Sequence, residues 1–112
     1  MERGEIWWAE MGEPRGSEPG FRRPVVIISS NDFNKSNIQT VIVAVITSNL
    51  HLAKAPCNFK LSKKSSGLPQ ESVVNVSQIL TLDKSYLTEA VGNLNNKLIN
   101  ALNDGVKLTL NL

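Results

Sequence analysis

The stretch from Ile38 to Thr47, Ile-Gln-Thr-Val-Ile-Val-Ala-Val-Ile-Thr, constrains the fold of this chain more than any other. β-Branched side chains are stiff about their first torsion; they crowd a helix and sit well on a pleated surface. From Val41 to Ile46 no polar residue interrupts, so the alternation of a half-exposed strand is missing. The run reads as a central strand buried on both faces. Pro24-Val25-Val26-Ile27-Ile28-Ser29-Ser30 has the same character, with its proline at the start, where no ladder donor is lost. Two such strands need pairing partners on either side and a layer to cover them.

The partners are legible. Gly4 to Met11 reads as a strand in which Trp7 and Trp8 must point to opposite faces, one indole entering the core and the other meeting a loop, a partner or a ligand. Cys57–Leu61 and Ser72–Val76 read as two more strands, with Lys63–Pro69 as a plain hairpin-type connection. Ile79–Leu82 and a segment through Ala90 to Leu94 complete the set, and Asn31–Asn34 is turn chemistry that opens one helical turn. The period then changes. Leu94, Leu98, Ile99, Leu102 and Val106 recur at helical spacing, with Asn95 or Asn96 available as N-cap and Gly105 weakening the last turn.

Short strands followed by one terminal helix imply a mainly β fold with α, a small α+β domain: an SH3-like antiparallel β-barrel or half-barrel with a C-terminal helix. The 112 residues suit a single domain, 1–112. Between Gly12 and Arg23, three glycines and two prolines in twelve residues exclude regular structure, and a flexible loop is expected at about 12–23.

Composition removes several classes of function. Apolar residues make up 41% and charged residues 20%, which argues against wholesale disorder, and with aromatics at 5% the core must be built from Val, Ile and Leu. Cys57 is the one cysteine, so neither an intrachain disulfide nor a Cys-based zinc site is available; it reads as a small packing residue in a reducing compartment. No signal-like segment leads the chain and no apolar run approaches the roughly 20 residues needed to span a bilayer, so a cytoplasmic protein is expected. The single His51 rules out a two-histidine acid–base pair within one chain and reads as an exposed loop histidine. No phosphate-cradling loop, dinucleotide fingerprint or nucleophile elbow is present, and Glu10, Glu13 and Glu18 lack the spacing of a divalent-ion site. No metal and no cofactor are expected.

Net charge is only +2, but its distribution is uneven: Lys54, Lys60, Lys63 and Lys64 fall in a stretch without carboxylates, and Arg22 and Arg23 are adjacent. A phosphate backbone would welcome that surplus, and a solvated lysine face is the plainer reading. The chemistry-bearing positions that remain lie at strand ends. Arg23 stands where the loop meets the strand beginning at Pro24, kept extended by the following proline. Thr47 stands where the apolar run gives way to Ser48 and Asn49. Strand ends beside loops are where sites are commonly built on a rigid scaffold.

Three blocks, in order over nearly the whole chain, resemble one known family. They are Gly4-Glu5-Ile6-Trp7-Trp8 with Gly16-Ser17-Glu18-Pro19-Gly20-Phe21-Arg22-Arg23-Pro24 and the apolar strand to Ser29, then Asn31-Asp32; Val43-Ala44-Val45-Ile46-Thr47-Ser48; and Ser72-Val73-Val74-Asn75-Val76-Ser77-Gln78-Ile79 with Thr81-Leu82-Asp83-Lys84. This ordered set is similar to the MazF/PemK (Kid-like) toxins of type II toxin–antitoxin systems. The resemblance implies a PemK/CcdB-like fold, a homodimer, a cognate antitoxin and a sequence-selective, metal-independent endoribonuclease acting on single-stranded RNA, mRNA above all. It places the catalytic arginine on Arg23, before the proline, and the catalytic threonine on Thr47; Arg22 falls on a variable position. Glu18 matches the loop glutamate and Ser17 its neighbour, while Pro19 departs from the glutamine of several members. Ser17, Pro19, Trp8, Ser48, Lys54 and Gln78 become the expected RNA contacts.

The implied reaction is physically sensible. RNA carries its own nucleophile, the 2′-hydroxyl, whose attack on the adjacent phosphorus leaves a 2′,3′-cyclic phosphate and a 5′-hydroxyl. Arg23 would neutralise charge on the phosphoryl oxygens through its planar donor fork, Thr47 would hydrogen-bond a nonbridging oxygen, and a water or Glu18 would take the proton. Two other functions are compatible with such a chain. One is a non-enzymatic CcdB-like poison binding DNA gyrase; the other is an inactive RNA-binding relative.

Overall fold

The computed structural model describes residues 1–13, 16 and 21–112. Six strands form one antiparallel sheet: β1 (Glu5–Glu10), β2 (Arg22–Ile27), β3 (Thr40–Thr47), β4 (Phe59–Leu61), β5 (Ser72–Asp83) and β6 (Leu87–Asn93), in the spatial order β4-β5-β3-β2-β1-β6. Among the described residues three α-helices accompany them, α1 (Asn31–Lys35), α2 (Lys63–Ser66) and α3 (Asn96–Leu110), with short 3-10 turns at Leu50–Lys54 and Lys84–Tyr86. The two unbroken apolar runs occupy neighbouring interior positions of the sheet, as their lack of alternation requires. Val25, Val26 and Ile27 of β2 and Val41, Val43, Ala44 and Ile46 of β3 are all 0% exposed.

Each face of the sheet carries its own core. On one, Ile6, Val26, Ala44, Ile46, Val74 and Val76 meet Leu94 and Leu102, with Leu98, Ile99 and Val106 of α3 packed against them. On the other lie Ala9, Val25, Ile27, Val41, Val43, Leu82 and Leu87, flanked by Trp7, Met11 and Leu80. The two indoles divide between the faces, Trp8 with the helix-covered core and Trp7 with the other; both are half-buried. This half-barrel differs from a closed barrel in that β4 and β6 remain unpaired edges. The helical turn α2 lies against β6, where an ideal Cβ on Gly92 would come 2.6 Å from the Ser66 carbonyl, so only glycine permits that approach.

Three local readings are revised by tertiary context. Lys63–Pro69 is not a plain hairpin connection: Ser62 caps α2 through its side chain, which accepts from the Ser65 N–H, and Gly67 ends the turn in the left-handed conformation. Ser72–Val76 and Ile79–Leu82 are halves of one long strand, β5, whose register against β3 shifts between Ala44 and Val45, so Ser77 and Gln78 fall at an irregularity and not in a loop. Arg22 and Arg23, expected in the loop, extend β2, because Glu10 pairs with Arg22 and Ala9 with Arg23 across the β1 ladder.

The terminal helix begins where Asn95 caps it, its Oδ1 accepting from the Leu98 N–H at 2.9 Å. Gly105 does not weaken this helix by accident. It is buried, and a Cβ there would collide with the Cys57 carbonyl and lie 3.2 Å from Val76 Cγ2. The glycine lets α3 cross close to the sheet. Gly105→Ala therefore trades a helix-propensity gain of about 1 kcal/mol against an overpacking cost of roughly 2–3 kcal/mol. We expect a net fall in melting temperature of about 5–10 °C in thermal denaturation; an unchanged or raised transition would contradict this packing.

Candidate active site

The β2–β3 ladder sets the geometry of the site. Val25 pairs with Val45, Val26 with Ala44 and Ile27 with Val43. The same register carried toward the start of β2 brings Pro24 level with Ile46 and Arg23 level with Thr47. Directly opposed residues in an antiparallel pair hold their Cβ atoms about 5 Å apart on one side of the sheet. Two residues 24 positions apart in sequence are thus brought to one end of adjacent strands.

At that end opens a cleft of 230 Å³. One wall is Trp8 of β1 with Arg22, Arg23 and Pro24 of β2; Ile46 and Ser48 come from the end of β3. The segment after α2 supplies Leu68, Pro69 and Gln70, and Ser72 closes the set. This segment is held in place locally. The Leu68 N–H donates to Ser66 Oγ at 2.9 Å, the Leu68 side chain is buried, and Ser72 Oγ donates to the Gln70 carbonyl at 3.0 Å.

Of the expected residues, the cleft collects Arg23, Trp8 and Ser48. Thr47, the residue before Ser48, is half-buried and is not part of the cleft wall; its Oγ1 accepts from the Asn49 N–H at 3.1 Å. Lys54 is exposed at the end of a 3-10 turn over Leu50–Lys54 and does not line the cleft. His51, on the same turn, is exposed as expected. Ser17, Glu18 and Pro19 lie outside the described residues. Among the described residues, no group of three His, Cys, Asp or Glu side chains is arranged to hold a metal ion, and no helix is long and apolar enough to cross a membrane.

Gln78 sits at the β5 irregularity within a polar cluster. Asn58 Oδ1 accepts from the Val76 N–H at 2.8 Å, and its Nδ2 donates to Asn75 Oδ1 and to the Leu52 carbonyl, each at 3.0 Å. Asn75, 5% exposed, donates in turn to Gln78 Oε1 at 3.1 Å, and Ser77 Oγ donates to Asn75 Oδ1 at 2.5 Å. A partly buried side-chain cluster of this kind supplies hydrogen bonds where the register shift interrupts the ladder.

Sequence reasoning missed Arg22, Gln70 and Asn58. Arg22 Cζ stands 4.4 Å from the centroid of the Trp8 ring. Its Nε lies 3.4 Å from Glu10 Oε1, and its Nη2 donates to Glu89 Oε1 at 2.9 Å. The Arg-Arg pair was visible as charge, but nothing local announced that one of the two would be stacked and bracketed by carboxylates. Trp7 is held away from the cleft: its Nε1 donates to Glu5 Oε1 at 3.0 Å. Burial raises the Glu5 pKa, but hydrogen bonds from the Glu2 backbone and the Trp7 indole, with the N-terminal amine nearby, outweigh it and leave the carboxyl below its ordinary value.

The family model of PemK-like, MazF-like toxins of type II toxin–antitoxin systems matches residues 2–110. The chain belongs to this family. It is 46% identical over 112 residues to endoribonuclease MazF6 of Mycobacterium tuberculosis, covering 100% of this chain and 98% of that protein. It is 38% identical to endoribonuclease MazF of Staphylococcus saprophyticus, covering 100% and 92%. A mycobacterial endoribonuclease solved in complex with its cognate antitoxin superposes with a TM-score of 0.77 at 22% identity, covering 100% of this chain and 94% of that one. The curled six-stranded sheet with its terminal helix is the MazF fold, and the family's curated members at these identities are enzymes by name.

The amide cluster gives a direct test of how the MazF-like site is supported. Asn58→Ala strips partners from Val76, Asn75 and Leu52 at once. It should lower stability by about 2–3 kcal/mol, read as a shifted urea midpoint with unchanged slope. A loss below half of that would mean water replaces the side chain.

Proposed function

We propose that this chain is a metal-independent endoribonuclease that cuts single-stranded RNA, mRNA above all, at the Trp8–Arg23–Ser48 cleft, and so serves as the toxin of a type II toxin–antitoxin pair. The observation that carries the reading is that Arg23 lines an open cleft together with Trp8 and with Ser48, the chain neighbour of Thr47. A cation with a planar donor fork and a hydroxyl at one strand end suit a phosphodiester.

In the proposed reaction the 2′-hydroxyl attacks the adjacent phosphorus in line, and the 5′-oxygen of the next nucleotide leaves. Arg23 stabilises the charge that gathers on the nonbridging oxygens, where an oriented donor is worth far more than in water. Thr47 holds one of those oxygens, using the hydroxyl proton that its contact with the Asn49 N–H leaves free. A water or Glu18 accepts the nucleophile's proton, and products are a 2′,3′-cyclic phosphate and a 5′-hydroxyl. Trp8, Ser48 and Gln78 contact the single strand near the break, Ser17 and Pro19 do so from the loop, and Lys54 attracts its backbone. The chain acts in the cytoplasm, where its substrate is. A second copy of the chain completes the groove and a cognate antitoxin blocks it; the mycobacterial endoribonuclease of the same fold was solved in complex with its cognate antitoxin.

Incubation of the purified protein with a long single-stranded RNA in EDTA tests this. Discrete fragments with 5′-hydroxyl ends are expected. Arg23→Ala should cut the rate by roughly 10²–10³-fold, the scale of losing one oriented transition-state donor, and Thr47→Ala by about tenfold or more, with unchanged thermal transitions in both. Glu18→Gln at full activity would assign the base to water. Intact RNA together with inhibition of DNA gyrase would overturn the nuclease reading.

A further inference from the structure

We propose that Arg22 is a substrate-contacting residue of this cleft, its guanidinium seated on Trp8 as a platform for a nucleobase of the RNA. The proposal rests on the reading of the cleft as the RNA site and adds a contact to it. Arg22 is the cleft residue with the most elaborate support. Trp8 lies beneath its Cζ at 4.4 Å, Glu10 meets its Nε at 3.4 Å and Glu89 its Nη2 at 2.9 Å. The partners come from β1 and β6, and the registers that set Glu10 opposite Arg22 and Glu89 opposite Trp8 bring all four side chains to one patch.

An exposed arginine ordinarily samples many rotamers, and ordering it on binding costs free energy. Here that ordering is done in folding. Two carboxylates at contact distance also offset its charge, so this guanidinium is poorly suited to neutralise a phosphate, and the carboxylates themselves repel one. What it still offers is a planar cationic surface, since its side chain keeps 44% of its exposure. Unpaired RNA bases stack on arginine planes and aromatic rings, whereas phosphates seek free charge. Gln70, exposed and in the lining of the same cleft, has an amide that can both donate to and accept from a base edge. Arg23, one residue on, has no such bracketing carboxylates among the described ion pairs, which suits it to the phosphate. Adjacent arginines thus divide the work: one for the base, one for the backbone.

The division is testable by binding alone. In a Trp7→Phe background, Trp8 emission is followed during titration with a short 2′-O-methyl RNA, which lacks the nucleophile. Its sequence is copied from a stretch the protein cuts or, if it cuts none, is mixed. Binding should perturb the emission. Arg22→Lys and Arg22→Ala should both weaken affinity by about tenfold, with the slope of log affinity against log salt unchanged and the same thermal transition as the parent. Arg22→Lys binding like the parent, or a slope reduced by about 0.7 in the alanine variant, would make Arg22 a phosphate ligand and overturn the platform. Unchanged affinity in both variants would overturn it as well. Failure of the parent protein to cut any RNA bears on the nuclease reading; failure of the Arg22 variants to lose affinity bears on the platform alone.

Discussion

The site depends on one constraint, the pairing of β2 with β3 while both are buried on both faces. Slipping this ladder by one residue would turn Val26 and Ala44 from the helix-covered core to the opposite one and break both cores at once. Because the register cannot slip, the polar residues beyond its last apolar pair cannot slip either. Carried two residues past the Val25–Val45 pair, the same register sets Arg23 level with Thr47. The hydrophobic effect, which has no interest in phosphodiesters, thereby sets the spacing of the groups that would act on one.

The irregularity in β5 shows the opposite principle. An uninterrupted ladder would have satisfied every backbone group of that strand more simply. Instead the register shifts beside Ala44 and Val45, and Asn58, Asn75 and Ser77 make side-chain hydrogen bonds around the break. Register irregularities in strands commonly sit beside functional sites, where they re-aim a side chain. Here the break sets Gln78 beside Asn75, whose Nδ2 donates to its Oε1. Gly92 and Gly105 belong to the same economy of shape, each allowing a backbone approach that brings α2 or α3 close to neighbouring chain.

Electrostatics in this MazF-like chain are local. A net charge of +2 does not steer RNA strongly, and the exposed lysines Lys54, Lys60, Lys63 and Lys64 fit a solvated face as well as a backbone track. The two arginines of the cleft lie in different settings, one bracketed by Glu10 and Glu89 and stacked on an indole, the other without a carboxylate partner among the described ion pairs. Charge counted along a sequence treats them alike. Their surroundings do not.

Much of this protein could be read before any coordinates. The two central strands, the indoles on opposite faces, a terminal helix capped by Asn95 or Asn96 and the strand-end position of Thr47 all follow from residue type and period, which are local properties of a chain. The family resemblance likewise lay in short ordered blocks. Other features were out of reach for a common reason. That Ser72–Val76 and Ile79–Leu82 are one strand, that Lys63–Ser66 is helical, that Gln70 and Arg23 line one cleft and that Arg22 rests on Trp8 between two glutamates all depend on contacts between distant segments. Register, close approach and the pairing of charges are settled only when the cores on the two faces of the sheet close together, since no single segment carries enough buried area to choose its own partners.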